Sequence, residues 1–346
     1  MTERSTIRSR APLRLGFAGG GTDLSPYCDQ HGGAVMNATI GLYAYAHLRP
    51  RDDGRVRFEA ADIGETDELE AAPHLPATGP ALLHKGVYNR MVRDFNGGRP
   101  LAITVTTTVE APAGSGLGSS SALTVALIEA YREYLRARIS EYDKARLAFE
   151  IERRDLALAG GRQDQYAAAF GGFNFMEFGA DEEVLVNPLR VPDSVIRELE
   201  ASIVLFFTGR ARDSADVIKQ QQSGLISENA KAIEAMHQIK AEAFAMKKAL
   251  LRGEVTSFGD ILNRGWLSKK ATAAGVSNKQ VDALIEAAFA KGAFAAKLSG
   301  AGGGGFMFLM CDPTRRNELM RFLAQQEGGE VMPCHFVGHG VESWRI

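Results

Sequence analysis

The amino-acid sequence predicts an α+β fold in two domains, and three observations carry that reading. Strand-like and helix-like stretches are mixed without the regular strand–helix–strand succession of a doubly wound sheet. The length, 346 residues, is about twice that of an ordinary domain. An acidic, proline-punctuated and weakly periodic stretch at 180–200 separates the halves, which puts the domains at 1–190 and 191–346.

The elements follow in order. YAYAHLRP (43–50) and RVRFEA (55–60) read as strands flanking the turn signal Asp52-Asp53-Gly54. AITVTTTVEAP (102–112) alternates with period two, is rich in β-branched residues and ends at a proline, as a strand does. From Ser119 to about Arg136 the period becomes helical, with Leu123, Leu127, Ala130, Tyr131 and Tyr134 on one side. A second helix fits 141–158, followed by a glycine pair at 160–161 and a strand-like FGGFNFMEF (170–178). In the second half a strand fits 202–208. A long helix near 227–251 places Ile233, Met236, Ile239, Ala243, Met246 and Leu250 on one stripe. Helices at 278–291 and 313–326 bracket the apolar strand GFMFLMC (305–311).

Composition narrows the function. A net charge of −2 with both signs interspersed argues against a surface built for nucleic acid or acidic membranes. Cys28, Cys311 and Cys334 form no C-x-x-C pair, so neither a disulfide framework nor a zinc signature is present. The polar start and the lack of any apolar run near 18 residues lead to the expectation of a soluble cytoplasmic protein. Glycine is the outlier: 37 residues, well above the usual share, with no repeat period to absorb them. They belong to loops.

One such loop is Pro112-Ala-Gly114-Ser115-Gly116-Leu117-Gly118-Ser119-Ser120-Ser121-Ala122, set between a strand and a helix. Three glycines let backbone N–H groups turn inward, and a helix N-terminus adds unpaired donors and partial positive charge, a setting for phosphate. The plainer alternative is a tight turn with a serine N-cap, which needs one serine rather than three. No Gly-Lys-Ser/Thr follows, so this is not a Walker loop, and Ser119 occupies the third glycine of a dinucleotide fingerprint. A literal G-x-G-x-x-G at Gly300, Gly302 and Gly305 follows a helix and enters a strand, the reverse of the dinucleotide-binding context. Two further segments, APLRLGFAGGGTD (11–23) and KLSGAGGGGF (297–306), are loops where backbone can approach a ligand closely.

Together, and in this order, the three segments resemble the three motifs of the GHMP small-molecule kinases. The resemblance implies an N-terminal α+β domain with a left-handed βαβ unit, a C-terminal ferredoxin-like α+β domain, and ATP and substrate in the cleft between them. Within the family, AGGGTDL, GGRQDQYAAAFGGFNF (160–175), FFTGRARDSADVI (206–218) and GWLSKK (265–270) are most similar to bacterial heptose kinases. These phosphorylate the anomeric hydroxyl of D-glycero-D-manno-heptose 7-phosphate, giving the 1,7-bisphosphate for nucleotide-activated heptose.

The same resemblance distributes the roles. The loop from Pro112 to Ser121 would cradle the ATP phosphates, with Ser120 and Glu152 as Mg²⁺ ligands, an oxygen set that suits this ion. Glu152 as a solvated helix charge is the competing reading. Asp164 would be the base that accepts the anomeric proton or orients the hydroxyl. Arg14 would stand beside it and stabilise the transferring charge. Asp23 would accept hydrogen bonds from sugar hydroxyls, with Gly20, Gly21, Thr22, Arg212, Gly302 and Gly303 also on the substrate side. Gly20 and Gly21 replace the Glu-His of galactokinase-like sequences, which disfavours galactose and leaves room for a longer sugar. By position near the motifs, Arg210, Arg212, Lys269, Lys270 and Lys297 are candidate partners for a substrate phosphate, although for any one of them solvated surface charge is the more ordinary reading. The competing functions are another anomeric kinase, fucokinase-like in substrate, and a non-catalytic sensor of nucleotide and sugar. A sensor has no need of a base.

Overall fold

The computed structural model describes residues 5–209, 214–227 and 229–346. Its first sheet has eight strands built around Gly33–Pro50, an 18-residue strand. The first half of that strand is buried on both faces, while its second half alternates. Ile7–Ala18 pairs antiparallel along it, with register shifts at Pro12/Leu13 and Gly16/Ala18. On the other edge, Ile103–Val109 pairs with the alternating half and Phe173–Phe178 with the buried half, the latter followed by Val184–Pro188.

Arg55–Ala60 does not pair with Gly33–Pro50 across the Asp52-Asp53-Gly54 turn. Ile103–Val109 lies between them and runs parallel to Arg55–Ala60. The crossover between these two strands contains Glu65–Glu70 and the helix Leu82–Phe95, which makes the βαβ unit. Asp53 is used locally instead, accepting from Arg51 Nε and from the Arg55 N–H.

The second sheet has four antiparallel strands in the spatial order Glu330–Pro333, Ile203–Phe207, Phe306–Cys311, Ala293–Leu298. Numbered along the chain this is 4-1-3-2, with helices after the first and third strands, the ferredoxin-like arrangement. Every residue of Phe306–Cys311 is buried. Its alternation divides it between two cores: Phe306, Phe308 and Met310 face the large core of the first sheet, and Met307, Leu309 and Cys311 a smaller one. Phe17, from the first sheet, meets Phe308 and Phe258 edge-on at ring distances of 5.8 and 5.2 Å. The last strand, Glu342–Arg345, leaves the second half and pairs with Ile7–Arg10 at the edge of the first sheet.

Two helices lie where the sequence carries little helical signal. Val255–Lys270 contains two glycines and several β-branched or short polar residues, yet buries Phe258, Ile261, Leu262 and Trp266. The stretch 180–200 holds both a strand and the helix Asp193–Ser202. The helix expected over 141–158 is α-helical only to Glu150, and Ile151–Asp155 forms a π-turn. Among the described residues no helix is long and apolar enough to cross a membrane.

Candidate active site

The three glycine loops and the residues between them surround a cleft of about 300 Å³. The phosphate loop enters it by a turn closed from Ser115 N–H to Pro112 O (3.1 Å). Gly114, Gly116 and Gly118 then all take the left-handed conformation, with φ of +72°, +83° and +75°. Their alternation with Ser115 and Leu117 turns those two side chains into the protein, where both are fully buried. Gly114, Gly116, Gly118, Ser119, Ser120 and Ser121 line the cleft; Pro112, Ser115 and Leu117 shape the loop from behind. The helix Ser119–Leu135 starts directly after Gly118, and no side chain caps it. The serine N-cap alternative is thus not what the structure shows, and the first turn presents its N–H groups to the cleft.

The third motif is fitted against this loop. Ser299 Oγ donates to Gly116 O (2.9 Å), and Phe306 N–H donates to Ser115 O (2.8 Å). A Cβ on Gly116 would lie 2.4 Å from Ser299 O, and one on Gly300 would lie 2.6 Å from Gly116 Cα. Gly300 and Ala301 reach the cleft wall. Gly302 and Gly303, expected on the substrate side, do not: Gly302 packs on the Val276 backbone and Gly303 N–H donates to Val276 O (2.8 Å).

Asp164 stands in the first turn of the helix Gln163–Phe170. Arg14 grips it with two parallel bonds, Nε to Oδ1 and Nη2 to Oδ2, each 2.8 Å. Nη1 of Arg14 donates to Gly116 O (2.5 Å), and the Arg14 N–H donates to Leu117 O (3.0 Å). One strand residue therefore ties the phosphate loop to the carboxylate. Arg14 is buried while the Asp164 side chain keeps about a quarter of its surface exposed toward the cleft.

Glu152 is fully buried in the π-turn, yet lines the cleft. Its Oε1 accepts from Ser120 Oγ (3.0 Å), and its Oε2 accepts from Ser121 Oγ (2.8 Å) and from Gln165 Nε2. The nearest cation, Arg153, is 3.9 Å away. A solvated surface charge does not describe this group. A buried carboxylate in contact with a cleft hydroxyl and no close counter-ion fits a hard divalent cation that takes its remaining ligands from phosphate and water. Among the described residues no three His, Cys, Asp or Glu side chains are grouped for a metal; Ser120 and Glu152, in contact at the cleft wall, are the pair whose oxygens fit such an ion.

Asp23 is only 2 % exposed and already accepts four hydrogen bonds. They come from Gly21 N–H (3.1 Å) and Gln163 Nε2 (3.3 Å) on Oδ1, and from the Arg162 (2.9 Å) and Gln163 (3.1 Å) N–H groups on Oδ2. A carboxylate has about four such sites. In this structure Asp23 seats the start of the helix that carries Asp164, and contact with a sugar hydroxyl needs one of these bonds exchanged. Gly21 lines the cleft and Gly20 lies just behind. Thr22 is buried as a clamp, its hydroxyl between Gly19 O (2.7 Å) and Ala34 O (3.0 Å). Arg210 and Arg212 lie outside the described residues.

Of the candidate lysines, Lys270 pairs with Asp282 (3.2 Å) and Lys297 is buried, donating to Gly16 O and Phe17 O. Lys269 lines the cleft, and burial lowers its pKa to about 8. Sequence reasoning gave Arg153 no role of its own. Its guanidinium lies on Gly160, where a Cβ would be 2.2 Å from Nη2, so the glycine pair at 160–161 was the available signal.

Comparison with known proteins places the chain in a family. The model of the GHMP kinases N terminal domain matches residues 83–172, and that of the GHMP kinases C terminal domain matches 246–328. The D-glycero-alpha-D-manno-heptose 7-phosphate kinase of Campylobacter jejuni is 46 % identical over 341 residues, 99 % of each chain. The L-fucokinase/L-fucose-1-P guanylyltransferase of Bacteroides fragilis is 27 % identical, covering 92 % of this chain and 36 % of that one. The crystal structure of a D-glycero-D-manno-heptose 1-phosphate kinase from Bacteroides thetaiotaomicron superposes with a TM-score of 0.83 at 43 % identity, covering 98 % of this chain and 99 % of that one. Galactokinase of Lactococcus lactis shares the fold, with a TM-score of 0.72 at 18 % identity, covering 97 % and 95 %. With its phosphate loop, buried carboxylates and two-sheet architecture, the chain belongs to the GHMP kinases, ATP-dependent enzymes that transfer a phosphoryl group to a hydroxyl.

Proposed function

We propose that this kinase transfers the γ-phosphoryl group of ATP to the anomeric hydroxyl of D-glycero-D-manno-heptose 7-phosphate, giving the 1,7-bisphosphate, with Mg²⁺ as its ion. The observation that carries the chemistry is Asp164, held by Arg14 in the same cleft as an uncapped helix N-terminus. The substrate assignment draws on the heptose 7-phosphate kinase relative, which matches end to end.

In this mechanism the phosphate-loop N–H groups and the first turn of Ser119–Leu135 bind the triphosphate and orient its γ-phosphorus. Asp164 accepts the proton of the sugar O1–H as O1 bonds to the γ-phosphorus. The bond from that phosphorus to the β,γ-bridging oxygen breaks, and ADP leaves. Arg14 offsets charge beside the reacting oxygens and fixes the orientation of the carboxylate. Ser120 and Glu152 would hold Mg²⁺, which when bound neutralises charge on the β- and γ-phosphates. Asp23 and Gln163 would orient the sugar. The same reading assigns 1–190 to the nucleotide-binding unit and 191–346 to the second, with the strand Glu342–Arg345 returned to the first, and places the enzyme in the cytoplasm.

The two heptose kinase relatives differ in name over which end of the sugar already carries phosphate, and either substrate gives the same bisphosphate. The test supplies heptose 7-phosphate, heptose 1-phosphate, free heptose and L-fucose separately, follows ADP release, and reads the product by phosphorus NMR. Heptose 7-phosphate should give the highest kcat/KM and a new anomeric phosphate signal. A preference for heptose 1-phosphate or for an unphosphorylated sugar refutes the assignment.

A further inference from the structure

Four lysines are buried among the described residues, and three have evident reasons to be there. Lys85 pairs with Asp67 at 2.5 Å, Lys144 pairs with Glu129 at 2.5 Å, and Lys297 donates to two backbone carbonyls. Lys269, in the last turn of Val255–Lys270, is different. It is 6 % exposed, forms no ion pair among the described residues, and donates to the single acceptor Gly300 O at 2.5 Å. An ammonium has three N–H donors, and a buried cation without an anion is costly unless a partner arrives. The amine is part of the cleft wall, so a ligand can supply that partner.

Gly20 adds a second, independent observation. Its φ is not in the left-handed region, so the backbone there does not require glycine. A Cβ at that position would lie 3.5 Å from Lys269 Nζ and 3.7 Å from Gln163 Nε2. Any larger side chain would crowd both donors. The bare Cα of Gly20 therefore leaves the space beside the amine free of any side chain.

We infer that Lys269 is a phosphate-binding cation of the cleft, which takes a phosphoryl oxygen of the bound ligand across the bare Cα of Gly20. The inference rests on the kinase reading, which supplies two such groups: the transferring γ-phosphoryl of the nucleotide and the phosphate of a sugar phosphate. The charged groups facing Lys269 are Asp23 and Asp164, which favour its charged form, and Arg14 and Lys297, which oppose it. Burial outweighs them, and the amine loses its proton near pH 8 in the free protein. Phosphate binding then weakens as pH rises through that value.

The test compares wild type with K269M, K269R and G20V, using ATP with heptose 7-phosphate and with the unphosphorylated heptose. K269M should lower kcat/KM for the sugar phosphate roughly 10- to 100-fold, the worth of one charge-assisted hydrogen bond. G20V should reproduce most of that loss, and it carries the test where K269M folds poorly. If the sugar phosphate is the partner, its KM rises and the preference over free heptose collapses. If the γ-phosphoryl is the partner, kcat falls for both sugars alike. Either outcome supports the inference. K269R should retain much of the activity and lose the alkaline limb near pH 8, because a guanidinium stays charged. Kinetic constants within twofold of wild type in K269M, or equal losses in K269M and K269R with the alkaline limb intact, overturn it. Calorimetric titration with inorganic phosphate separates this failure from failure of the kinase reading: a wild type that turns over no sugar must still bind phosphate at least tenfold more tightly than K269M.

Discussion

Arg14 meets Asp164 through two parallel 2.8 Å bonds, so replacing the carboxylate by an amide changes charge and one bond while leaving shape almost intact. D164N should lower kcat by roughly 10²- to 10⁴-fold, the usual worth of a positioned base. Affinity for a non-hydrolysable ATP analogue should stay within about twofold, since the phosphate loop is untouched. Turnover at the wild-type rate would remove Asp164 from the chemistry. Glu152 offers a contrasting case, because its partners are hydroxyls and an amide rather than a close cation. E152Q keeps the volume and discards the negative charge. The Mg²⁺ concentration giving half-maximal activity should rise roughly tenfold or more, by comparison with losses of supporting groups at metal sites. An unchanged Mg²⁺ dependence in initial-rate measurements would return Glu152 to a purely structural role.

At the scale of elements, the phosphate loop and the third motif form one unit because glycine lets their backbones touch. G116A forces an L-residue into a left-handed φ of +83° and drives a methyl against Ser299 O at 2.4 Å. The handedness alone costs about 1–2 kcal/mol, and the clash adds displacement of the third motif. G54A is the control, with φ +71° and no atom within 4 Å. Thermal denaturation should show a larger loss for G116A, and only G116A should weaken nucleotide binding. These loops were legible in the sequence because glycine and serine encode backbone conformation directly. Asp164, Arg14 and Glu152 were singled out only by the resemblance of the surrounding segments to a family's motifs, since no local signal in their own segments sets them apart. Less was legible where tertiary packing decides. Val255–Lys270 is helical despite its two glycines because Phe258, Ile261, Leu262 and Trp266 find a core, and no local signal announces that. Gly302, Gly303 and Thr22 sit in the right motifs but face neighbouring backbone, an orientation set by contacts distant in sequence. The turn at 52–54 suggested adjacent strands, whereas a later strand with more β-branched residues took the central place.

For the whole molecule, the second half is anchored to the first by Phe306–Cys311, shared between two cores, and by the terminal strand Glu342–Arg345. A buried charge cluster secures that strand. Glu129 binds Arg132 and Lys144, and Ser343 of the last strand donates to it at 2.7 Å. Burial pushes the Glu129 pKa up, but hydrogen bonds and charge from Arg132, Lys144 and Ser343 more than offset this and leave it below the usual value. A depressed carboxylate contributes stability that is present above its unfolded pKa and is lost as pH falls through its folded one. E129Q should therefore be less stable than wild type near neutral pH by about 3–5 kcal/mol, because it leaves Lys144 buried without its anion. As pH falls through about 4.3, where an unfolded glutamate is half protonated, and on through the lower folded pKa, the wild type should progressively lose this advantage and the two stability curves should converge. Urea denaturation of both proteins between pH 3 and pH 7 measures the gap directly. Parallel curves over that range would mean that the terminal strand is held by its backbone pairing with Ile7–Arg10, and that the buried charges do not set its acid limit.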